Sequence, residues 1–294
     1  MRLTNESQSL VTRYGYQKAF VLLKAAGFEA VDFSFCHDPD RVLMQDDYRE
    51  RIQLARKLLD EAGLACVQTH GPFHSLLPGS PKGMQYGDPF DESCPAYLET
   101  VRAFEAASIL GAPHTVIHNI AVPDGVDEVE YNYAFYRSFL PYLEKFDTKL
   151  AIENLHKKNP ENGLRMERIG SAEKLNRLLE MLDSDRYVIV LDIGHTNLAQ
   201  IPAQELIPAL TPGSIQGLHV QDNDGVGDRH HFPFMGGVDW IAAMKALKKA
   251  GYTGDLSFEA PRLIKAVPDE LVESILRYLA DVGRFLINVF NETE

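Results

Sequence analysis

The sequence predicts a single α/β domain over residues 1–294, folded as a (β/α)8 TIM barrel. Three observations support this prediction. Short apolar runs alternate with amphipathic stretches about eight times along the chain. The length of 294 residues suits a barrel fold that typically takes about 250. No stretch has the composition of a linker between two domains, so we expect one continuous core.

Short runs of apolar and β-branched residues predict the strands. The clearest run covers residues 187–191 and is apolar without interruption, as in a strand that is buried on both faces of a parallel sheet. The eight predicted strands cover residues 2–5, 30–35, 64–69, 115–117, 149–152, 187–191, 215–220 and 256–258.

Apolar residues spaced three or four apart predict the helices between these strands. Gly27, Gly63 and Gly111 each follow a helical pattern and suit its C-terminal cap. Ser171 is a candidate N-cap for a further helix. The other predicted helices cover residues 16–26, 47–62, 98–110, 133–143, 203–210, 240–247 and 271–286, and loops are predicted at 71–91 and 156–170.

Charge and composition restrict the partners. The net charge is −13, with 42 acidic against 29 basic residues, which disfavours nucleic acid because its binding depends on Lys and Arg. The first ten residues lack the apolar core of a signal peptide, and no apolar run approaches the roughly 18 residues that span a membrane. Cys36, Cys66 and Cys94 have no metal-binding spacing. We therefore expect a cytoplasmic protein with reduced cysteines and no membrane partner, and the sequence leaves open whether it forms a homo-oligomer.

Titratable side chains stand at the ends of six successive predicted strands. The carboxyl ends of barrel strands meet at one rim, where catalytic groups gather. Lys and Arg are nearly absent there, and burying several acids without a counter-charge is costly. A divalent cation would supply that charge, and mixed His and carboxylate ligands suit Mn²⁺, Zn²⁺, Co²⁺ or Fe²⁺. The strand-end residues are His70, His118, Glu153, Asp192, His219 and Glu259, with His195, Asp228 and His230 in the following loops.

Asp192 has a second interpretation. It stands directly before a short polar stretch, and Asp is a preferred N-cap residue. In that interpretation Asp192 only caps the next helix and His195 is a hydrogen-bonded loop residue. The recurrence of the same pattern at other strand ends favours a functional site.

The strand-end motifs resemble those of the xylose isomerase-like TIM barrels, a superfamily of sugar isomerases, sugar epimerases and DNA-repair enzymes of the endonuclease IV type. The resemblance covers nearly the whole chain and is specific for the superfamily rather than for a substrate. It rests on AIEN at 151–154, LDIGH at 191–195, LHVQDND at 218–224, DRHHFPFMGGVDW at 228–240 and SFEAP at 257–261.

The resemblance to the ketose 3-epimerases implies a metal-dependent sugar or sugar-phosphate isomerase or epimerase. Glu153, Asp192, His219 and Glu259 would hold one divalent ion, with Mn²⁺ or Zn²⁺ expected. The two glutamates would serve as acid and base on either side of the substrate, and His195 would bind a hydroxyl or shuttle a proton. The resemblance implies substrate binding for five further side chains: His70, His118, Asn154, Asp228 and His230.

The resemblance to endonuclease IV implies an alternative, a phosphoester hydrolase with three zinc ions. Glu153, Asp192, His219 and Glu259 would again hold one ion. His70 and His118 would join Glu153 at a second ion, and His195, Asp228 and His230 would hold a third. The acidic chain counts against this alternative. A metal-dependent sugar or polyol lyase or dehydratase, and a non-catalytic binding barrel, also stay open. Arg165, Arg229 and Arg262 are candidates for a substrate phosphate, so the sequence does not separate plain from phosphorylated sugars.

Overall fold

The barrel predicted from the sequence is confirmed. The computed structural model describes residues 1–36, 38–72, 90–159 and 163–294. Within these ranges the barrel strands are β1 (Leu3–Glu6), β2 (Ala30–Ser34), β3 (Ala65–His70), β4 (His114–Ile117), β5 (Lys149–Glu153), β8 (Tyr187–Asp192), β9 (Ile215–His219) and β10 (Leu256–Phe258), and β6 (Leu155–Lys158) and β7 (Arg165–Arg168) form a separate hairpin. The eight barrel strands are parallel and pair in the order β10-β1-β2-β3-β4-β5-β8-β9. The ring closes between its ends, where the Val220 amide donates to the Ser257 carbonyl at 2.8 Å.

Helices follow the strands, and the predicted caps are present. Gly27, Gly63 and Gly111 end their helices in the left-handed conformation, with φ of 101°, 68° and 76°. The Ser171 side chain accepts a hydrogen bond from the Lys174 amide at the start of α6. The helices are α1 (Gln8–Ala26), α2 (Tyr48–Ala62), α3 (Pro95–Leu110), α4 (Glu128–Arg137), α5 (Leu140–Phe146), α6 (Ala172–Leu182), α7 (Ile193–Leu198), α8 (Ala203–Ala209), α9 (Trp240–Lys249), α10 (Pro261–Ala266) and α11 (Asp269–Asn291).

The predicted helix at 133–143 is wrong, because the structure divides it into α4 and α5. Pro141 lies in the first turn of α5. Its nitrogen carries no hydrogen, so it cannot continue the hydrogen-bond ladder of α4. The helix predicted at 16–26 is the part of α1 that follows a kink at Gly15, where φ is 74°. Most of the loop predicted at 71–91 lies outside the described residues.

The predicted polar loop at 156–170 is also wrong. It contains most of an antiparallel hairpin, in which β6 (Leu155–Lys158) pairs with β7 (Arg165–Arg168). The hairpin is polar because its side chains form ion pairs, such as that between Lys157 on β6 and Glu128 of α4. The hairpin continues directly from the end of β5 and therefore stands beside the strand-end residues.

The barrel interior has an apolar side and a polar side. Val116, Ala151, Val188 and Val190 form a small buried cluster that is separate from the large core between sheet and helices. The adjoining strands instead carry buried polar side chains. Asp32 on β2, Gln68 on β3 and His114 on β4 are each at most 3% exposed. Buried polar groups of this kind need partners, and those of Asp32 lead to the site described next.

Candidate functional site

Four side chains from four strand ends meet at the carboxyl rim of the barrel, and we call them the inner cluster: Glu153, Asp192, His219 and Glu259. Each offers one ligand atom, and these atoms all lie within 4.8 Å of one another. Glu153, Asp192 and His219 are the last residues of β5, β8 and β9, and Glu259 directly follows β10. The first three are at most 1% exposed, whereas the Glu259 side chain is 18% exposed.

The contacts of the inner cluster centre on His219. Its Nδ1 lies 3.2 Å from Glu153 Oε1 and 3.4 Å from Glu259 Oε2. Burial raises the pKa of Asp192 to about 7, with the charges of Glu153 and Glu259 adding to the effect. Burial opposes ionisation of Glu153 as well, but His219 and His118 bring its pKa well below the usual value.

This donor set fits a divalent cation. Three carboxylates and an imidazole share one buried space, and they need positive charge to stay ionised together. The mixture of oxygen and nitrogen donors is that of Mn²⁺, Zn²⁺, Co²⁺ or Fe²⁺ sites rather than of all-oxygen Mg²⁺ or Ca²⁺ sites. Asp192 also caps α7, since its Oδ1 accepts from the His195 amide at 2.7 Å. The two interpretations of Asp192 are therefore compatible.

His70 and His118 adjoin the inner cluster at Glu153. His118 Nε2 lies 2.8 Å from Glu153 Oε2, and His70 Nε2 lies 3.7 Å from the same oxygen. The two imidazoles approach each other to 3.2 Å between their Nε2 atoms. His70 Nδ1 contacts the Gly71 carbonyl at 3.0 Å, so Nε2 is the ring nitrogen that faces the cluster. Both histidines predicted from the sequence thus reach the site.

A second group, which we call the outer cluster, surrounds Asp228: His156, His195 and His230. The Asp228 carboxylate lies 3.2 Å from His230 Nε2, 3.5 Å from His156 Nε2 and 3.7 Å from His195 Nε2. His195 Nδ1 pairs with the Asn154 carbonyl at 2.9 Å and His230 Nδ1 with the Glu259 carbonyl at 2.8 Å. Asp228, His195 and His230 are predicted from the sequence, whereas His156 lies in the predicted loop at 156–170 and is not among the predicted site residues.

The outer cluster attracts positive charge. Burial disfavours the protonated form of His195, but Asp192 and Asp228 raise its pKa to about 10. The pKa of His230 is also about 10, because Glu259 and Asp228 outweigh its burial. Since both rings give Nδ1–H to backbone carbonyls, their Nε2 atoms face a carboxylate that can only accept. A proton on each Nε2, or a cation between the Nε2 atoms and the Asp228 carboxylate, would stabilise this arrangement.

Asn154 and Gln221 orient the two clusters. Asn154 exchanges two hydrogen bonds with the main chain of Asp192, at 2.7 and 2.9 Å. The Gln221 amide lies 3.3 Å from Asp192 Oδ1 and 3.3 Å from Asp228 Oδ1, so it bridges the clusters. A Cβ on Gly194 would overlap Gln221, which explains the glycine of LDIGH. Gln221 is not among the site residues predicted from the sequence, although two-residue alternation from His219 places it on the same inward face.

The loop that carries Asp228 and His230 is held by Asp222. Asp222 accepts hydrogen bonds from Trp240 Nε1 at 2.9 Å and from the Val238 amide at 3.2 Å. The C-terminal part of the motif at 228–240 therefore holds the loop in place through these contacts with Asp222.

Of the three candidate phosphate ligands, only Arg165 contacts a cluster. It donates to His156 Nδ1 at 3.1 Å. Arg229 pairs with Asp224 at 3.3 Å, and Arg262 is exposed. In the described part of the chain, no helix combines the length and apolar character that crossing a membrane requires.

The comparisons with known proteins agree with this architecture. An uncharacterised protein, y4fM, from Sinorhizobium fredii is 26% identical over 269 residues, which cover 84% of this chain and 81% of that protein. A D-tagatose 3-epimerase-like protein has a similar structure, with a TM-score of 0.73, 20% identity and 99% of both chains covered. An L-ribulose 3-epimerase follows with a TM-score of 0.70, 18% identity and coverage of 99% and 96%. Residues 20–281 match the family described as "Xylose isomerase-like TIM barrel", and the chain therefore belongs to that family.

Proposed function

We propose that the protein is a divalent-metal-dependent sugar or sugar-phosphate isomerase or epimerase, which moves a proton on the carbon beside a substrate carbonyl. The observation that carries this proposal is the position of two glutamates around one imidazole. Glu153 and Glu259 each have an oxygen within 3.4 Å of His219 Nδ1, so both reach the space that a bound ion and substrate would share. The structural similarity to proteins named as sugar 3-epimerases supports the same substrate class.

The proposed roles divide between the two glutamates. A divalent ion held by the inner cluster would polarise a neighbouring carbonyl and acidify the C–H beside it. One glutamate removes the proton and the other returns a proton to the opposite face, as an epimerisation requires. Glu153 is fully buried and fixed by histidines, whereas Glu259 is partly exposed. This difference suits Glu259 for exchanging its proton with solvent.

The other predicted residues take supporting roles in the proposal. His70, His118, His230 and Asp228 line the same rim and would bind substrate hydroxyls. His195 would bind a hydroxyl or shuttle a proton. For Asn154 we propose a positioning role in place of the substrate-binding role expected from the sequence, because its amide is already paired with the main chain of Asp192.

The test is solvent deuterium exchange into a panel of ketoses, followed by mass spectrometry or NMR. We expect metal-dependent exchange at one carbon in the wild-type protein. Glu153→Gln and Glu259→Gln should each reduce it by about 10²–10⁴-fold, the usual contribution of a general acid or base. Glu180→Gln, on the exposed surface of α6, is the matched control and should leave exchange unchanged. Exchange that survives both active-site changes would refute the mechanism.

Phosphoester hydrolysis with up to three ions is the second candidate. The observation in its favour is that His70 and His118 adjoin Glu153 while His195 and His230 surround Asp228, so His-carboxylate groups flank the inner cluster on two sides. The net charge of −13 opposes a nucleic-acid substrate. Two or three zinc ions per chain, with incision of an abasic duplex that weakens as salt rises, would favour this candidate. One ion per chain and no incision would favour the epimerase.

A further inference from the structure

Asp32 lies inside the barrel and contacts the imidazole of the inner cluster. It is on β2, 1% exposed, and its Oδ2 lies 3.2 Å from His219 Nε2. The two residues are 187 positions apart in the sequence. Asp32 Oδ1 is buried and has no hydrogen-bond partner among the described residues, so the hydrogen bonds that Asp32 accepts all go to Oδ2. A buried acid with this geometry needs an explanation.

The contact with Asp32 determines which nitrogen of His219 faces the inner cluster. A carboxylate only accepts hydrogen bonds, so Nε2 carries a proton and donates it to Asp32. In the neutral ring Nδ1 is then the atom with the free lone pair. Nδ1 is also the atom that faces Glu153 and Glu259. Both glutamates also only accept, so a proton or a cation must stand opposite Nδ1, and a bound metal ion would select the tautomer with the proton on Nε2.

Asp32 is itself held in place by a chain of buried side chains. Gln68 Nε2 donates to Asp32 Oδ2 at 2.7 Å. This fixes the Gln68 amide so that its Oε1 faces His114 Nε2, at 3.3 Å. A Cβ on Gly217 would come within 2.6 Å of Gln68 Oε1 and 2.8 Å of His114 Nε2, so only glycine leaves space for this chain on β9. Residues from β2, β3, β4 and β9 thus build one support across the barrel.

We propose that Asp32 is a positioning residue that fixes the tautomer and the orientation of His219 for metal binding. This inference rests on the metal site in the proposed function, and it adds a residue that sequence analysis did not identify. Metal-ligating histidines commonly donate their other N–H to a carboxylate, and losing that partner typically weakens metal affinity by about 10–100-fold. Asp32 supplies that carboxylate from inside the barrel, where no substrate needs to reach.

The first test is a metal titration with Mn²⁺ and Co²⁺. We expect Asp32→Asn and Asp32→Ala to weaken the affinity by about 10–100-fold and to change the visible spectrum of bound Co²⁺. Thr115→Val is the matched control. It removes a buried side-chain hydrogen bond, from Thr69 to Thr115, in the same barrel without touching His219, and should leave affinity and spectrum unchanged. Unchanged affinity in both Asp32 variants that retain the native circular dichroism spectrum would overturn the inference.

The second test observes the proton on Nε2 and its hydrogen bond to Asp32 directly, and it does not depend on bound metal. In ¹H–¹⁵N spectra of the His219 ring, we expect a slowly exchanging proton on Nε2 in the wild-type protein and its loss in Asp32→Ala. A proton on Nε2 that persists unchanged in Asp32→Ala would overturn the inference. Failure of the wild-type protein to bind any divalent ion would refute the metal site in the proposed function, and this spectrum would still decide whether Asp32 positions the ring.

Discussion

The inner and outer clusters contain similar side chains but stand on different supports. The inner cluster comes from strand ends, and Glu153, Asp192 and His219 are at most 1% exposed. In the outer cluster Asp228 and His230 belong to a loop, and their side chains are 30% and 26% exposed. His230 also has a positive φ of 48°. Side chains on packed strands are held more firmly than side chains on loops, and loops commonly vary with the substrate. We therefore propose that the inner cluster carries out the chemistry and that the outer cluster selects the substrate.

Asp192→Asn should have the largest effect among the changes that separate the clusters. The amide can still cap α7, because Asn and Asp are similar N-cap residues, so the stability should change little. Metal affinity should fall by more than about 100-fold, because a ligand is lost rather than a group behind it. Metal titration and thermal unfolding check this. Normal metal affinity together with unchanged stability would show that Asp192 is only a cap, a role that Asn fills equally well.

Asp228→Asn should have a smaller effect of a different kind. It removes the charge that faces His156, His195 and His230. Hydrogen bonds to charged groups contribute about 1.5–3 kcal/mol, so we expect a 10–100-fold loss in kcat/KM, mostly through KM. Steady-state kinetics and elemental analysis check this. If one metal ion per chain disappears with the substitution, the outer cluster is itself a metal site and does not serve only to select the substrate.

Gly194→Ala tests the connection between the clusters and should have the smallest effect. The new Cβ would displace Gln221, whose amide bridges Asp192 and Asp228. Overpacking of this kind costs about 1–3 kcal/mol, which thermal or denaturant unfolding would detect. Gly237→Ala is the control, because its Cβ would approach Asn197 and the Asn223 carbonyl no closer than 3.4 Å, which is ordinary contact. Equal stabilities of the two variants would mean that Gln221 moves aside without cost.

The sequence predicts the fold and the inner cluster well, because both follow from strand ends that can be recognised in the local sequence. Every predicted strand agrees with the observed one within one residue at either end. Because parallel strands share one direction, the residue at each strand end is assigned to the same rim without knowledge of any contact. This rule placed Glu153, Asp192 and His219 together.

The site residues that could not be predicted from the sequence owe their roles to contacts between segments that lie far apart in the chain. Asp32 lies inside a strand, and only its proximity to His219 distinguishes it from an ordinary buried acid. His156 was assigned to a loop because the four-residue strands of its hairpin are too short to show a clear period. Gln221 acquires its role from Asp192 and Asp228, which belong to two different segments. Strand pairing and barrel closure create these relations, and neither is encoded in local spacing.

Metal-assisted proton transfer at the inner cluster is tested most directly by solvent deuterium exchange with the wild-type protein, measured after chelation and again after one equivalent of Mn²⁺, Co²⁺ or Zn²⁺ is restored. A ketose or ketose phosphate should gain one deuterium per molecule only in the restored protein. Exchange at the same rate in the chelated protein would refute a metal-assisted site, and so would a restored protein that exchanges no substrate yet cleaves phosphoesters.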